Sequence, residues 1–268
     1  MHAPLPHDNE QLREQLRVKL FGHYWKHDLN DVFADVAPYY DRANVVASLG
    51  LWSWFLKHFL ATFSLRPGQR VLDLCAGTNA VGIALLGSEP ALEVFAIDRS
   101  EAMQAVGRRR AAARGLHIES SIGDVHRLPF PDAHFDIVTL QWASRHLRIE
   151  AVMDEVQRVL KPGGSFHHCD MLRPSSPRIA RWYFGYLRGC LNLTAWLFRS
   201  GRAALGCRNY FIEALDKFYS AEEFSALLEK HGFVEVGHKR LLAGMVGLHR
   251  ARKAGWAGPS TARPSLRG

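Results

Sequence analysis

The sequence predicts an α/β protein built on a doubly wound, mostly parallel seven-strand sheet. Three observations predict it. Short apolar runs alternate with segments of helical periodicity between Arg70 and Met171, the rhythm of a parallel sheet covered on both faces. Three of those runs end on small or acidic residues, at Gly77, Asp98 and Gly123-Asp124, where such a sheet binds its ligands. Residues 234–253 read as two closing strands, with the last hairpin strand expected antiparallel.

The elements follow in order. Residues 1–8 are a loose end. Leu12, Leu16, Leu20 and Tyr24 recur every four residues, which predicts an amphipathic helix over Asn9–His27. A second helical and very aromatic region runs from Val32 to Leu65, so that residues 1–64 form an N-terminal helical lid. Arg66-Pro67-Gly68-Gln69 turns into the strand VLDLC. AVGIALLG is helical, LEVFAID is the second strand, and SEAMQAVGRRRAAARG is a helix ending at Gly115. HIESSIGD holds the third strand and FDIVTLQW the fourth. The helix AVMDEVQRVL is stopped by Lys161-Pro162-Gly163-Gly164. SFHHCDML is the fifth strand. Residues 174–215 interrupt the rhythm as an Arg-studded aromatic insertion of one or two amphipathic helices. SAEEFSALLEKHGF opens on a capping box, Ser220 to Glu223. The sheet-bearing domain thus spans 65–253, and the Gly/Pro/Ser/Arg-rich stretch 254–268 is expected to be disordered.

Composition narrows the function. The 47% hydrophobic and 11% aromatic content supports a sizeable core and excludes a mostly disordered chain. No apolar run approaches the ~18 residues of a membrane span, and no charged segment followed by an apolar one marks a signal peptide. The four cysteines form no CxxC pair, which suits a reduced, cytoplasmic protein. The net charge of +8 comes partly from Arg108-Arg109-Arg110 and from residues 250–268, which hold no acid. No nucleic-acid recognition motif accompanies it. A solvated basic face or attraction to an anionic membrane surface remains.

The three strand ends form a nucleoside-type constellation. Gly77 lets the backbone approach a ligand closely, and Thr78 with the amides beyond it opens a helix N-terminus. Asp98 is placed to accept from both hydroxyls of a ribose. Asp124 is placed to accept from an exocyclic amine. Taken singly, each has a plain structural use, as a tight turn or a cap. Lack of GxGxxG and of a phosphate-binding lysine argues against a dinucleotide or a triphosphate.

These residues resemble class I S-adenosylmethionine-dependent methyltransferases, whose fold is Rossmann-like. More narrowly, the chain resembles the ubiquinone/menaquinone biosynthesis C-methyltransferase family over roughly residues 32–253. The resemblance rests on VFADVAPYYDRANVVASLG, VLDLCAGT, AIDRSEAM, IGDVHRLPFPDAHFDIVTLQW, VQRVLKPGG, YSAEEFSALLEKHGF and AGMVGLHR. It implies S-adenosyl-L-methionine as cofactor, contacted by Tyr40, Gly77, Thr78, Asp98, Met103, Asp124, Val125 and Gln141. Tyr39, Tyr40 and Asp41 would lie on the lid above it. The family's acceptor-facing Gly-Leu-Arg-Asn is here Ala143-Ser144-Arg145-His146. Two further departures are Asn79-Ala80 in the Gly-rich turn and Phe166-His167-His168-Cys169-Asp170 in strand five, usually plain apolar.

Methylation of a hydroxylated ring at carbon requires a phenolate and a sulfonium methyl held in line about 3–3.5 Å away. His146, with an ordinary pKa of about 6.5, is the candidate general base, and Arg145 the candidate oxyanion partner. His168 and Asp170 share a face of strand five, so His146, His168 and Asp170 are also candidates for a divalent metal. The resemblance implies a polyprenylated quinone or phenol as substrate. Trp182, Tyr183, Phe184, Tyr186, Trp196, Leu197 and Phe198 would line a prenyl tunnel. With Arg178, Arg181, Arg188 and Arg199 they would instead rest on the inner face of a membrane, or form a homo-oligomer face. Three other readings stand beside ring methylation. One is amino transfer to ubiquinone giving rhodoquinone, one is methylation of an unrelated small acceptor, and one is a non-catalytic scaffold in a quinone-biosynthesis complex.

Overall fold

The computed structural model describes residues 12–19, 22, 28–197 and 208–255. Helices α1 (Asp28–Val36), α2 (Tyr40–Ala47) and α3 (Trp52–Leu60) precede strand β1 (Arg70–Leu74). Then come α4 (Ala80–Ser88), β2 (Glu93–Asp98), α5 (Glu101–Ala112), β3 (Glu119–Ile122) and β4 (Phe135–Gln141). A 3-10 turn at Ser144–His146 leads to α6 (Ile149–Val159) and β5 (Leu160–Met171). Helices α7 (Pro177–Leu197), α8 (Arg208–Asp216) and α9 (Ala221–Lys230) are followed by β6 (Phe233–Leu241) and β7 (Val246–Lys253).

The seven strands lie in the order β3-β2-β1-β4-β5-β7-β6. All pairings are parallel except those of β7, which runs antiparallel to both β5 and β6. The doubly wound sheet and its antiparallel last strand therefore agree with the sequence. Alternation along β1 explains the two cores. Leu72 and Leu74 pack with Val138, Leu140 and Phe166 beneath α6 and α9, whereas Val71 joins Phe55, Phe59, Val81 and Leu85 on the other face. Helix α6 buries Ile149, Val152, Met153, Val156 and Val159 along one stripe. The Ser220–Glu223 capping box starts α9.

Two expectations need correction. Lys161-Pro162-Gly163-Gly164 lies inside β5. The pairing jumps from Phe135↔Leu160 to Ile137↔Ser165, so a bulge absorbs the residues that resembled a stop. Residues 12–19 are helical, but Leu12 and Leu16 are exposed and Arg17 is the buried residue. Its guanidinium lies 5.2 Å from the Phe218 ring and 5.1 Å from the Tyr219 ring, and it bonds Glu14. The aromatic pair prefers a cation over leucine on that face. Leu20, Tyr24, Phe198, Arg199, Cys207 and the stretch 256–268 lie outside the described residues.

Candidate active site

The turn leaving β1 takes three left-handed residues, Cys75, Gly77 and Asn79. Gly77 is needed there, since a Cβ would come 3.3 Å from the Met103 methyl on top of its positive φ. The Gly77 amide donates to Asp98 Oδ2 at 2.8 Å, and the Ser100 amide donates to Asp98 Oδ1 at 2.7 Å. Asp98 thus ties the end of β2 to the turn. Burial raises its pKa, opposed by those amides. Asn79 is fully buried and accepts from Gln104 Nε2 at 2.9 Å. The residue that departs from the family turn therefore braces it against α5. A Cβ on Gly107 would fall 2.8 Å from Asn79 Cγ, so the asparagine requires the neighbouring glycine.

The N-terminal helices close this turn from above. Thr78 Oγ1 donates to Asp41 Oδ1 at 3.0 Å. Arg110 Nη1 donates to Thr78 Oγ1 at 2.7 Å and also to Asp41 Oδ2. One arginine of the 108–110 run thus clasps α2 to the core. The pocket so formed is lined by Tyr40, Asp41, Trp52, Asp73, Thr78, Gln141 and Trp142, among others. Asp73 Oδ2 and Gln141 Nε2 are buried without hydrogen-bond partners. Burial and the nearby Asp98 push the Asp73 carboxyl up to about 8. Two orphaned polar atoms and a carboxylate at the next strand end suit the amino-acid and ribose parts of S-adenosylmethionine.

The structure distributes the other expected cofactor residues unevenly. Asp124 sits at the end of β3, half exposed, where the backbone and ring of His126 both hydrogen-bond it. Burial would raise its pKa, but those bonds outweigh burial and lower it. The Val125 side chain belongs to the core beneath the sheet, and Met103 is buried against Gly77. Neither side chain lines the pocket.

A second cavity of about 210 Å³ adjoins the first. It is walled by α1, α2, α7 and α8, and Arg145 is the one charged residue among its described lining. Asp170 accepts from Arg145 Nη1. Tyr40 lines both cavities; burial raises its pKa. A third, apolar cavity of about 660 Å³ continues outward between Leu49, Trp52, Phe55, Trp182 and Leu242. Trp142 lines all three, and its ring stacks on Trp52 at 5.3 Å. The sequence reading missed Trp142 and Trp52. Their only signal was position, immediately after strand four and opening the helix before strand one.

The geometry departs from two expectations. His146 is absent from the lining of the second cavity. It is 3% exposed, packed behind Phe33 and Phe211, with Nδ1 3.1 Å from the Tyr210 hydroxyl. Burial, reinforced by Arg145, holds its pKa well below the usual range. Its burial and its place behind the wall do not favour a base titrating near neutrality at the cavity. Nor do His146, His168 and Asp170 form a metal centre. His168 Nε2 meets Ser144 Oγ at 2.8 Å and its Nδ1 meets His249 Nδ1 at 3.1 Å. Asp170 is taken by Ser144, Arg145 and the Met171 amide. Among the described residues, no group of three or more His, Cys, Asp or Glu side chains is set to hold a metal.

The sheet order and the ligand turn at the carboxyl ends of β1 and β2 define a class I, S-adenosylmethionine-dependent methyltransferase. A structure with the same fold is the S-adenosylmethionine-dependent methyltransferase of Aquifex aeolicus, with TM-score 0.52, 19% identity, and coverage of 74% of this chain and 88% of that one. Residues 23–253 match the ubiE/COQ5 methyltransferase family, and the chain belongs to that family. It is 35% identical to the demethylmenaquinone methyltransferase of Symbiobacterium thermophilum, over 84% of this chain and 92% of the relative. It is 34% identical to the 2-phytyl-1,4-naphtoquinone methyltransferase of Synechococcus elongatus, over 81% and 93%. It is 31% identical to the ubiquinone/menaquinone biosynthesis C-methyltransferase UbiE of Ectopseudomonas mendocina, over 83% and 88%.

Proposed function

We propose that the chain transfers a methyl group from S-adenosylmethionine to a ring carbon of a prenylated quinol or phenol. The observation that carries this is the continuity at Trp142. An acid-lined pocket at the Gly77 turn shares Tyr40 and Trp142 with a small cavity holding Arg145, and that cavity shares Trp142, Met171 and Leu187 with a large apolar one. Such a series suits a cationic donor, a hydroxylated ring and an apolar tail, in that order. The three relatives named above act, by their names, on quinones of this kind.

The bound cofactor supplies an electrophilic sulfonium methyl. The chain's residues do the rest. Asp98, Thr78 and Gln141 would hold the donor, while Asp41 and Tyr40, as a lid, would shield it from water. Arg145 faces the ring oxygen and favours its ionised form, which makes the adjacent carbon nucleophilic. Tyr40 lines the same cavity and, like any phenol with an ordinary pKa near 10, is protonated at neutral pH, so it would donate a hydrogen bond to that oxygen. With His146 behind the cavity wall, the phenolic proton leaves to water.

The finer reading includes contact with a membrane surface. No helix among the described residues is long and apolar enough to cross a membrane. Yet Trp182 and Trp196 on α7 are 82% and 76% exposed, and Leu49 is 75% exposed at the rim of the large cavity. Arg181 and Arg188 share the exposed side of α7. Tryptophan with arginine is the pairing that settles at a lipid headgroup layer.

The decisive experiment incubates the protein with S-adenosylmethionine and reduced demethylmenaquinone, then weighs the product. One added methyl supports the proposal. An amine in place of a methoxy group, on a ubiquinone substrate, selects amino transfer instead. No product on any quinone, with the cofactor bound, overturns the acceptor class.

A further inference from the structure

The pocket at the Gly77 turn carries an uncompensated carboxyl. Asp73 is 2% exposed, lines that pocket, and leaves Oδ2 with no donor. Its acidic neighbours are each answered. Asp41, on α2, is held by Thr78 and Arg110. Asp98, on β2, accepts from the Gly77 and Ser100 amides. The groups facing Asp73 are therefore the Gly82 amide from α4, the Asp98 carboxylate from β2, the Cys75 thiol of the turn, Thr139 and Gln141 on β4, and Tyr40 and Asp41 from above. No lysine, arginine or histidine appears among the described residues lining the pocket.

A buried carboxylate with a single backbone donor, one oxygen left unpaired and no counter-charge is costly, and such a group keeps its proton instead. Its pKa of about 8, from burial and then Asp98, agrees with the geometry. A cation placed in the pocket reverses that preference. The methyl donor carries a sulfonium, an ammonium and a carboxylate, for a net charge of +1. Its spent form, S-adenosylhomocysteine, has lost the sulfonium charge and is net neutral.

We infer that Asp73 distinguishes the charged methyl donor from its spent form by exchanging a proton. In the empty pocket the Asp73 carboxyl is protonated. When the donor binds, the carboxyl O–H bond breaks heterolytically, the electron pair stays on oxygen, and the proton passes to solvent. The carboxylate then stabilises the sulfonium of the donor, the one charge the spent form lacks. Once the methyl has left and the sulfur is neutral, Asp73 takes a proton back from solvent, and its hold on the product weakens. This inference rests on S-adenosylmethionine being the cofactor and adds a specificity role for one residue.

Titration calorimetry at pH 7, in buffers of different ionisation enthalpy, reads the protons released per ligand. Close to one proton is expected for S-adenosylmethionine, and less than half as much for S-adenosylhomocysteine. Release should vanish above pH 9, where Asp73 is already ionised in the empty pocket. Asp73→Asn should abolish the release and reduce the donor-to-product affinity ratio about tenfold. Equal release for both ligands overturns the inference, as does release that persists at pH 9 or in Asp73→Asn. Binding of the donor with no proton release also overturns it and leaves the cofactor assignment intact. Failure of the donor to bind at all overturns both. Should Asp73→Asn fail to fold, the two-ligand and two-pH comparison on the unaltered protein decides alone.

Discussion

Asp170 holds Arg145 from beneath the acceptor cavity. Its carboxylate also accepts from the Ser144 and Met171 amides, at 2.8 and 2.7 Å, and from the Ser144 hydroxyl. Asp170 is fully buried, while Arg145 is 12% exposed at its side chain. The pair therefore fixes the one cationic group among the described residues of the cavity wall with little freedom. Asp170→Asn should leave Arg145 bonded to a neutral oxygen and free to rotate. Losing a charge-assisted hydrogen bond costs about 1.5–3 kcal/mol. Turnover per acceptor concentration should fall about tenfold to a hundredfold, with donor affinity within twofold of the unaltered protein. An equal loss in both quantities would point to a collapsed fold instead.

His146 sits behind that wall, so its removal should act on stability before chemistry. His146→Asn is expected to lower turnover by less than about tenfold and to leave the pH–rate profile in place. The measurement is initial rate between pH 5 and 9 for both proteins. Disappearance of an acidic limb in the variant would restore the general-base role.

Four buried histidines make stability depend on pH in one direction. Burial depresses the pKa of His146, His167, His168 and His249, the middle two to about 3. Below about pH 6.5 the unfolded chain binds protons at these sites and the folded chain does not. Stability therefore falls as pH falls from 6.5 toward 3, with each histidine contributing up to about 1.4 kcal/mol per pH unit. Asp73 opposes one of them, because its raised pKa favours the folded state as pH falls from 8 toward 4. Urea unfolding at pH 7, 6 and 5 should show steep loss, and His167→Gln should flatten the slope by about one histidine. A midpoint independent of pH in that range would contradict the assignment.

What the sequence made legible was whatever depends on strand ends. A parallel sheet delivers ligands to the carboxyl ends of its strands, so Gly77, Asp98 and Asp124 were findable from spacing, and the lid residues Tyr40 and Asp41 from resemblance. Side-chain depth was not legible. His146 follows strand four just as Arg145 does, yet a single 3-10 turn sends one into the core and the other into the cavity. The leucines at 12 and 16 matched a helical stripe, but the surface they met offered two aromatic rings, which took Arg17. The third arginine of a basic run gave no sign that it reached Asp41, because that contact crosses 69 residues of sequence.

That arginine supplies the next test. Arg110 and Asp41 are each about one-third exposed at the side chain, so their ion pair is partly screened and worth at most about 1 kcal/mol. Arg110→Ala should weaken donor affinity about twofold to fivefold by loosening α2 from Thr78. Arg110→Lys should recover part of it, since a point ammonium reaches Asp41 without the guanidinium fork. The effect should shrink in high salt. Donor affinity unchanged in Arg110→Ala would show that the clasp does not govern the pocket.

The proposed membrane contact can be tested on the exposed face of α7. Trp182 rims the large apolar cavity, so a prenyl tail leaving the headgroup layer would meet that ring first. Trp196 lies further along the same helix, away from the cavity, and shares its exposure. Replacing both by alanine should lower recovery with floated vesicles of anionic lipid, without changing donor affinity. Trp196→Ala alone should weaken flotation yet spare the reaction on a short-chain quinol, which needs no membrane. Trp182→Ala should weaken flotation and also raise the KM for long-chain acceptors. Arg181→Glu with Arg188→Glu should remove the salt-sensitive part of binding, which oppositely charged surfaces lose within a Debye length of about 8 Å at physiological ionic strength. Equal flotation of the unaltered protein with neutral and anionic vesicles would exclude the arginines from the contact. Flotation unaffected by loss of both tryptophans would place the contact on another face.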